Sequence, residues 1–443
     1  MIEIICGDAS EVLPDYPENT FDACFCDPPY GLGFMGEAWD HGVPSVEVWR
    51  GVYRILKPGA MLMAFGGART WHRLACAIED AGFEMRDTMM WLYGSGFPKS
   101  LDISKKIDKR GGVSVGWFGP WLRRERVRCG IAQKDLAKHF PSKTGGLTGC
   151  IANWELGLNM PTPEQFNTLC EILSLPFGRI EEAEREIVDH NDRPAGWFTS
   201  GDGHEVTAPA TDAARLWSGY GTALKPAWEP ILLAMKPCEG TFAENALKWG
   251  VAGLAIDAGR IGTTVAVWGG KAAGGNTWNE DNSGLCKDGE ARPVVGRWPA
   301  NLLLDEEAAA MLDEQSGDLG KSTGGGRNVG GLSNTHHKRM SQDRGRTIGF
   351  GDSGGASRFF YCAKASRNER GEGNAHPTVK PLALCEYLAR LILPPDSGFP
   401  RALLNPFAGS GSEAIGADRA GWDLVVSVEI SPEYAEIARR RSS

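Results

Sequence analysis

The sequence has no Cys-x-x-Cys pair, no apolar run near the roughly 20 residues that span a bilayer, and no internal repeat. Its 11 cysteines are scattered over 443 residues, so we expect a reducing cytoplasm and neither a disulfide framework nor a metal site. The first eight residues lack the basic and apolar regions of a signal peptide and predict a strand. Positive charge is also scarce: the net charge of −9 by itself disfavours a nucleic-acid partner.

Strands and helices alternate at both ends of the chain. Apolar runs at 2–6 and 21–26 predict strands, and apolar residues at helical spacing over 45–56 predict a helix that Lys57-Pro58-Gly59 ends. A strand over 61–65 follows, and the same alternation returns over 380–443. Strands that alternate with helices indicate βαβ units and a mostly parallel sheet.

One segment concentrates the positive charge that the whole chain lacks. Residues 105–143 contain eleven basic and three acidic side chains, a local balance of +8, and helical patterns continue to about residue 187. The stretch 317–357 is rich in Gly, Ser, Asn and Arg. That composition cannot pack a core alone and predicts long loops or disorder.

A glycine-rich turn lies between a strand and a helix near the C-terminus. Gly409 and Gly411 allow a tight turn and let a ligand approach the backbone without a Cβ in the way. Eighteen residues after Gly411, Glu429 ends the next strand, where an acid can hold a ribose diol in nucleotide-binding sheets. Taken alone, the motif is also compatible with a structural turn and a strand-end carboxylate.

The tetrapeptide Asp27-Pro28-Pro29-Tyr30 follows the second predicted strand. Ligands bind at the carboxyl ends of strands in open α/β sheets. Asp27 and the Pro28 carbonyl can each accept one hydrogen of an exocyclic amine, which raises the electron density on its nitrogen. The two prolines fix the turn, and Tyr30 offers a flat face to a base flipped out of the duplex. The alternative is a proline-rich turn capped by an aspartate.

With both motifs in this order, the chain resembles the beta class of amino (N6-adenine or N4-cytosine) DNA methyltransferases that use S-adenosylmethionine. The resemblance covers about 1–104, 215–257 and 358–443. It implies a Rossmann-like α/β core with a mostly parallel sheet and a circularly permuted motif order. Direct transfer of the methyl group, without a covalent enzyme intermediate, is implied as well.

The resemblance also assigns roles to individual positions. Asp8 matches the acid that bonds the adenine amine of the cofactor, and the segment from His376 to Pro381 matches one that lines the methionine site. The family usually has an acid at the position of Asn405, so here the charge that pairs with the cofactor ammonium is missing. The implied catalytic residues are Asp27, Pro28, Pro29 and Tyr30, and the implied cofactor-binding residues are Asp8, His376, Thr378, Lys380, Asn405, Phe407, Gly409, Gly411 and Glu429.

Residues Leu122 to Leu175 resemble a repressor-type helix-turn-helix domain, which places one helix in the major groove of DNA. The stretch 142–148, with Gly145-Gly146, departs from the pattern where the recognition helix should begin. The DNA-binding candidates are Gln133, Lys134, Lys143 and Thr144. A solvated basic helical insertion without a DNA role is the alternative.

These observations predict five segments: catalytic core 1–104, helix-turn-helix domain 105–190, return to core 191–257, loop-rich target-recognition region 258–357 and cofactor-binding core 358–443. The expected partner is double-stranded DNA. The resemblance favours adenine N6, because in that family a tetrapeptide that begins with Asp rather than Ser is more often associated with adenine. Three alternatives stay open: cytosine N4 as the target, a DNA-binding regulator with a residual core, and an α/β enzyme that uses another nucleotide or acts on RNA or protein amines. A homodimer and a cognate restriction endonuclease stay open too.

Overall fold

The computed structural model describes residues 1–32, 42–96, 100–109, 118–141, 148–158, 160–175, 185–191, 204–268, 292–320, 352–363 and 379–443. The chain divides into two compact units. The core unit contains residues 1–96 and 227–443, and the inserted unit contains residues 97–226. None of the described helices is long and apolar enough to cross a membrane.

The first part of the core unit alternates strands and helices, as its apolar patterns predict. Its elements are β1 (Ile2–Cys6), α1 (Ala9–Val12), β2 (Phe21–Cys26), α2 (Val46–Ile55), β3 (Leu56–Phe65), α3 (Trp71–Asp80) and β4 (Glu84–Leu92). The strand β3 begins five residues before the predicted start at residue 61. Leu56 pairs with Phe21 of β2, and the pairing of the two strands then shifts in register. Gly59, at φ +77°, lies in this irregular part, so Lys57-Pro58-Gly59 belongs to the strand although the sequence predicts that it ends a helix.

The inserted unit is mostly helical. Its elements are α4 (Ile103–Asp108), α5 (Phe118–Arg128), α6 (Gln133–Ala137), α7 (Cys150–Glu155), α8 (Pro163–Ile172), β5 (Ile187–Asn191), β6 (His204–Thr207) and α9 (Asp212–Leu216). The helices α5 to α8 occupy the predicted helical segments and enclose a separate apolar core around Phe118, Trp154 and Phe166. Thr162 and Gln165 form a capping box that starts α8.

The inserted unit is longer than the predicted domain 105–190. The antiparallel pair β5–β6 crosses residue 190. The buried carboxylate of Asp108 also accepts hydrogen bonds from the backbone N–H groups of Ala210 and Thr211, at 3.0 and 3.1 Å, and from Arg185. These bonds tie the segment after residue 204 to α4, so the chain returns to the core unit only at Ala227.

The second part of the core unit completes the sheet. Its elements are β7 (Trp228–Met235), α10 (Phe242–Trp249), β8 (Ile261–Trp268), β9 (Arg292–Arg297), β10 (Leu302–Asp305), α11 (Glu306–Ser316), β11 (Tyr361–Ala363), α12 (Leu382–Leu391), β12 (Ala402–Asn405), α13 (Ser412–Ala420), β13 (Leu424–Glu429) and α14 (Pro432–Ser442). β10 lies within the predicted target-recognition region, yet it pairs with β4 and β11 in the main sheet.

The main sheet runs in the order β1-β13-β12-β2-β3-β7-β4-β10-β11. All neighbours are parallel except β7, which is antiparallel to both β3 and β4. Apolar side chains are buried on both faces, with α2 and α3 over one face and α12 and α13 over the other. The α/β fold with a mostly parallel sheet is thus confirmed.

Candidate active site

Four parallel strands end side by side at one edge of the sheet. These strands are β1, β13, β12 and β2, in that order across the sheet. Glu429 ends β13 and Asn405 ends β12, whereas Asp8 lies two residues after β1 and Asp27 follows β2 directly. The strands β12 and β2 are neighbours in the sheet. The strand that follows β12 in the sequence, β13, lies on one side of this pair, and the strand that follows β2, β3, lies on the other side. The order of the strands therefore reverses between β12 and β2. Such a reversal opens a crevice beyond the strand ends, where α/β sheets bind ligands. The tetrapeptide that begins at Asp27 and the glycine-rich turn that begins after Asn405, about 380 residues apart in the sequence, therefore meet there.

The glycine-rich turn after β12 has the backbone that the sequence predicts. Gly409 and Gly411 adopt φ values of +51° and +83°, which disfavour any side chain. A Cβ on Gly411 would also meet the Ala438 Cβ at 3.2 Å. The Glu429 carboxylate accepts hydrogen bonds from the N–H groups of Gly409 (2.7 Å) and Ser431 (2.8 Å). Burial raises the pKa of Glu429, although these hydrogen bonds act in the opposite direction.

Asn405, the last residue of β12, is fully buried. Its Oδ1 accepts a hydrogen bond from the Phe407 N–H at 3.2 Å. Because that N–H can only donate, the orientation of the amide is fixed. Among the residues that the structure describes, Nδ2 then has no hydrogen-bond partner. A buried donor without a partner is costly, so this amide is suited to a ligand acceptor. The Phe407 ring packs edge-on against Trp49, with ring centroids 5.9 Å apart.

Asp8 lies beside Glu429, because the Gly7 N–H donates to the Glu429 carbonyl at 2.9 Å. One oxygen of the Asp8 carboxylate caps α1 by accepting from the N–H and the hydroxyl of Ser10, at 2.8 and 2.7 Å. The side chain is partly exposed. Asp8 therefore has a capping role in the fold as well as the position predicted for a ligand contact.

A network of charged and polar groups surrounds Asp27. Its two carboxylate oxygens accept hydrogen bonds from the Tyr30 hydroxyl and the Lys380 ammonium, each at 2.8 Å. Lys380 also donates to the Tyr30 oxygen at 2.9 Å and lies 3.2 Å from the Glu229 carboxylate. The Lys380 ammonium stands 4.7 Å from the Phe65 ring centroid. The lysine that the sequence predicts at the methionine site thus contacts the tetrapeptide that it predicts to be catalytic.

The neighbouring charges set the protonation states of Lys380 and Tyr30. Burial alone lowers the pKa of Lys380, which is only 7% exposed, but attraction to Asp27 and Glu229 raises it well above the ordinary lysine value. The pKa of the Tyr30 phenol is raised by burial and by the same two carboxylates. Lys380 therefore carries its proton and Tyr30 stays neutral throughout the physiological range.

Glu229 is a site residue that the sequence analysis did not identify. It is the second residue of β7, and it pairs with Trp91 of β4. Because β7 is antiparallel to its neighbours, its first residues lie at the edge where the parallel strands end. Nothing in the local pattern indicates that reversal, so a glutamate at the start of a strand carries no signal by itself.

The remaining predicted residues are distributed as follows. Pro28 is buried and Pro29 partly buried next to Asp27. His376, Thr378, Lys143 and Thr144 lie outside the described residues. In the inserted unit, the Gln133 side chain donates to the Glu155 carboxylate at 2.6 Å, and Lys134 is exposed. The structure contains no group of three metal-ligand side chains within its described ranges.

No protein-family model matches the chain. It is similar to the Type II methyltransferase M.HindIII from Haemophilus influenzae, with 27% identity over 110 residues, 21% of this chain and 36% of that protein. Its identity to the Type II methyltransferase M.HpaI from Haemophilus parainfluenzae is 28% over 113 residues, 24% of this chain and 36% of that protein. The chain spans just over a third of the length of these relatives.

Among solved structures, the chain is similar to PvuII DNA methyltransferase (cytosine-N4-specific), with 12% identity and a TM-score of 0.39 over 99% of this chain and 86% of that one. It is also similar to the M1.HpyAVI–SAM complex, with 12% identity and a TM-score of 0.34 over the full length of both chains. In sequence, therefore, about a quarter of the chain is similar to Type II methyltransferases.

Proposed function

We propose that the chain is an S-adenosylmethionine-dependent DNA methyltransferase that acts on an exocyclic amine of a flipped base. The observation that carries this proposal is the meeting of Asp27 and the glycine-rich turn at the reversal of strand order between β2 and β12. The similarity to Type II methyltransferases over a quarter of the chain supports it.

The strand ends offer a matching group for each part of the cofactor. The open turn at Gly409 and Gly411 and the Glu429 carboxylate suit a nucleoside, since the carboxylate has about four lone-pair sites and accepts three backbone hydrogen bonds. The unpartnered Nδ2 of Asn405 suits a carboxylate. S-adenosylmethionine supplies a methyl group on a sulfonium, a good leaving group for direct displacement. Asp8 lies where an adenine amine would be bound.

In this proposal Asp27 and the Pro28 carbonyl accept the two hydrogens of the target amine. Lys380 donates a charged hydrogen bond to Asp27, which fixes the orientation of this carboxylate as an acceptor. Lys380 and Glu229 also hold the Tyr30 hydroxyl, which fixes the orientation of the ring that would stack on the base. Adenine N6 is the proposed target, because the tetrapeptide begins with Asp.

Double-stranded DNA is the proposed substrate, and the inserted unit is its proposed reader. The basic segment 105–143 lies in that unit. The proposal is supported by the position of helices α5 to α8, which lie in and around the segment 122–175 that resembles a helix-turn-helix domain. Lys134, Lys143 and Thr144 would contact DNA. Gln133 would have to exchange its hydrogen bond to Glu155 for a contact with DNA.

The test compares the wild-type protein with Asp27→Ala in a methylation-free host, with long-read sequencing of the DNA. We expect N6-methyladenine at one recurring sequence for the wild type and none for the variant. Purified Asp27→Ala should still bind S-adenosylhomocysteine, because the turn at Gly409 is intact. Transfer of tritiated methyl to DNA by this variant at the wild-type rate would refute the assigned role, and methylcytosine would change the target base.

A further inference from the structure

Glu413 is a buried acid that the proposed function does not yet use. It lies in the first turn of α13, two residues after Gly411, and is only 3% exposed. Within the described part of the chain, its own backbone N–H is the hydrogen-bond donor to its carboxyl group. A carboxyl group in such surroundings is costly to bury without a further partner.

Glu413 follows the glycine-rich turn directly and lies close enough to Asp27 to interact with its charge. One turn later, Gly416 packs so closely on α12 that a Cβ there would lie 2.5 Å from the Cys385 Cβ. Burial, and then the charge of Asp27, raise the pKa of Glu413 to about 8. An additional cation would therefore stabilise its ionised form. The titratable groups that interact with it are Asp27, Lys380, Arg441, Cys26 and Cys385.

The two cations around Glu413 already have other partners. Lys380 donates to Asp27 and Tyr30, and Arg441 donates to Ser410 and Ser412 at the turn. A cationic group of a ligand can therefore supply a further partner for Glu413.

Asn405 explains why such an acid is needed. Its Oδ1 already accepts from Phe407, and its free Nδ2 is a donor. A donor cannot bind an ammonium group, which is itself a donor. The amino-acid end of the cofactor carries both an ammonium group and a carboxylate, so a site with Asn405 needs a separate acid.

Resting on the proposed function, we infer that Glu413 binds the ammonium group of the cofactor, in place of the acid that Asn405 replaces. Glu413 is eight residues further along the chain but lies at the same turn. The ion pair would form without displacing Lys380 from Asp27. The cofactor would thus be held between Glu413 and the target amine.

The test measures the affinity of three nucleosides by calorimetry for the wild type, Glu413→Gln and a matched control, Asp418→Asn. Asp418 lies on the same helix but is half-exposed and pairs with the chain's N-terminal amine. S-adenosylhomocysteine carries both groups, decarboxylated S-adenosylmethionine carries only the ammonium group, and methylthioadenosine carries neither. Methylthioadenosine also reports whether the nucleoside site is folded.

We expect Glu413→Gln to weaken the two ammonium-bearing nucleosides about 10- to 100-fold, the range for one charged hydrogen bond, and to leave methylthioadenosine unchanged. Asp418→Asn should change none of the three. Equal weakening of all three, or no weakening of decarboxylated S-adenosylmethionine, would overturn the inference. If the wild type binds none of these nucleosides, the proposed function itself fails.

Discussion

Lys380 is the cation of the Asp27 network, and Lys380→Met is the most informative perturbation of it. The substitution keeps an apolar chain of similar length against Phe65 but removes the ammonium group. Asp27 and Glu229, with side chains 19% and 23% exposed, then face each other without a counter-charge. Removal of one partner from a buried ion pair typically costs about 3–5 kcal/mol, because the remaining charge stays desolvated. We expect a loss of about 3 kcal/mol in the free energy of unfolding at pH 8, since these carboxylates keep some solvent contact.

The raised pKa of Lys380 determines how its contribution to stability depends on pH. The raised pKa of Lys380 means that its stabilising contribution is complete below the unfolded value of about 10.4 and is lost only as pH rises through the folded pKa. The wild-type contribution is therefore constant between pH 8 and pH 5. The difference in unfolding free energy between the wild type and Lys380→Met should consequently be the same at pH 8 and pH 5.5.

The assay is urea unfolding followed by tryptophan fluorescence at pH 8 and pH 5.5. Lys248→Met is the matched control, because Lys248 pairs with Glu239 on the surface with side chains 61% and 48% exposed. Such pairs contribute about 0–1 kcal/mol. A loss of unfolding free energy for Lys380→Met no larger than that of the control, or a loss that disappears between pH 8 and pH 5.5, would refute the reasoning.

Three further substitutions test the fold. Asn245→Ala removes a fully buried amide that bonds three backbone groups, so urea unfolding should show a loss of about 2–4 kcal/mol. Asp423→Asn should cost at most about 1 kcal/mol at pH 6, because the side chain is 45% exposed. Hydrogen bonds from Arg401 lower the pKa of Asp423 to about 2, so its contribution is present above about pH 3.9 and the gap should shrink as the pH falls to 3. Asp108→Asn weakens the buried bond to Arg185, and limited proteolysis should cut the inserted unit faster while the core unit is unchanged.

The sequence alone determined the α/β fold and much of the candidate site. Helical and strand spacing are local properties, and the glycines of the turn and the prolines after Asp27 fix local backbone geometry wherever the chain places them. These signals predicted the strands β1 and β2, the helices of the inserted unit, and the two motifs. The predicted end of a helix at Lys57-Pro58-Gly59 was correct to two residues, but the same residues continue as a strand.

Only the tertiary structure decided which distant residues share the site. The antiparallel direction of β7 brings Glu229 close to Lys380 and Asp27. The position of α12, which packs on α13 at Gly416, brings Lys380 into the same network. The bonds of Asp108 to residues 210 and 211 extended the inserted unit. Strand order, strand direction and helix packing are set by the burial of apolar faces over the whole core, and no local pattern of residues encodes them.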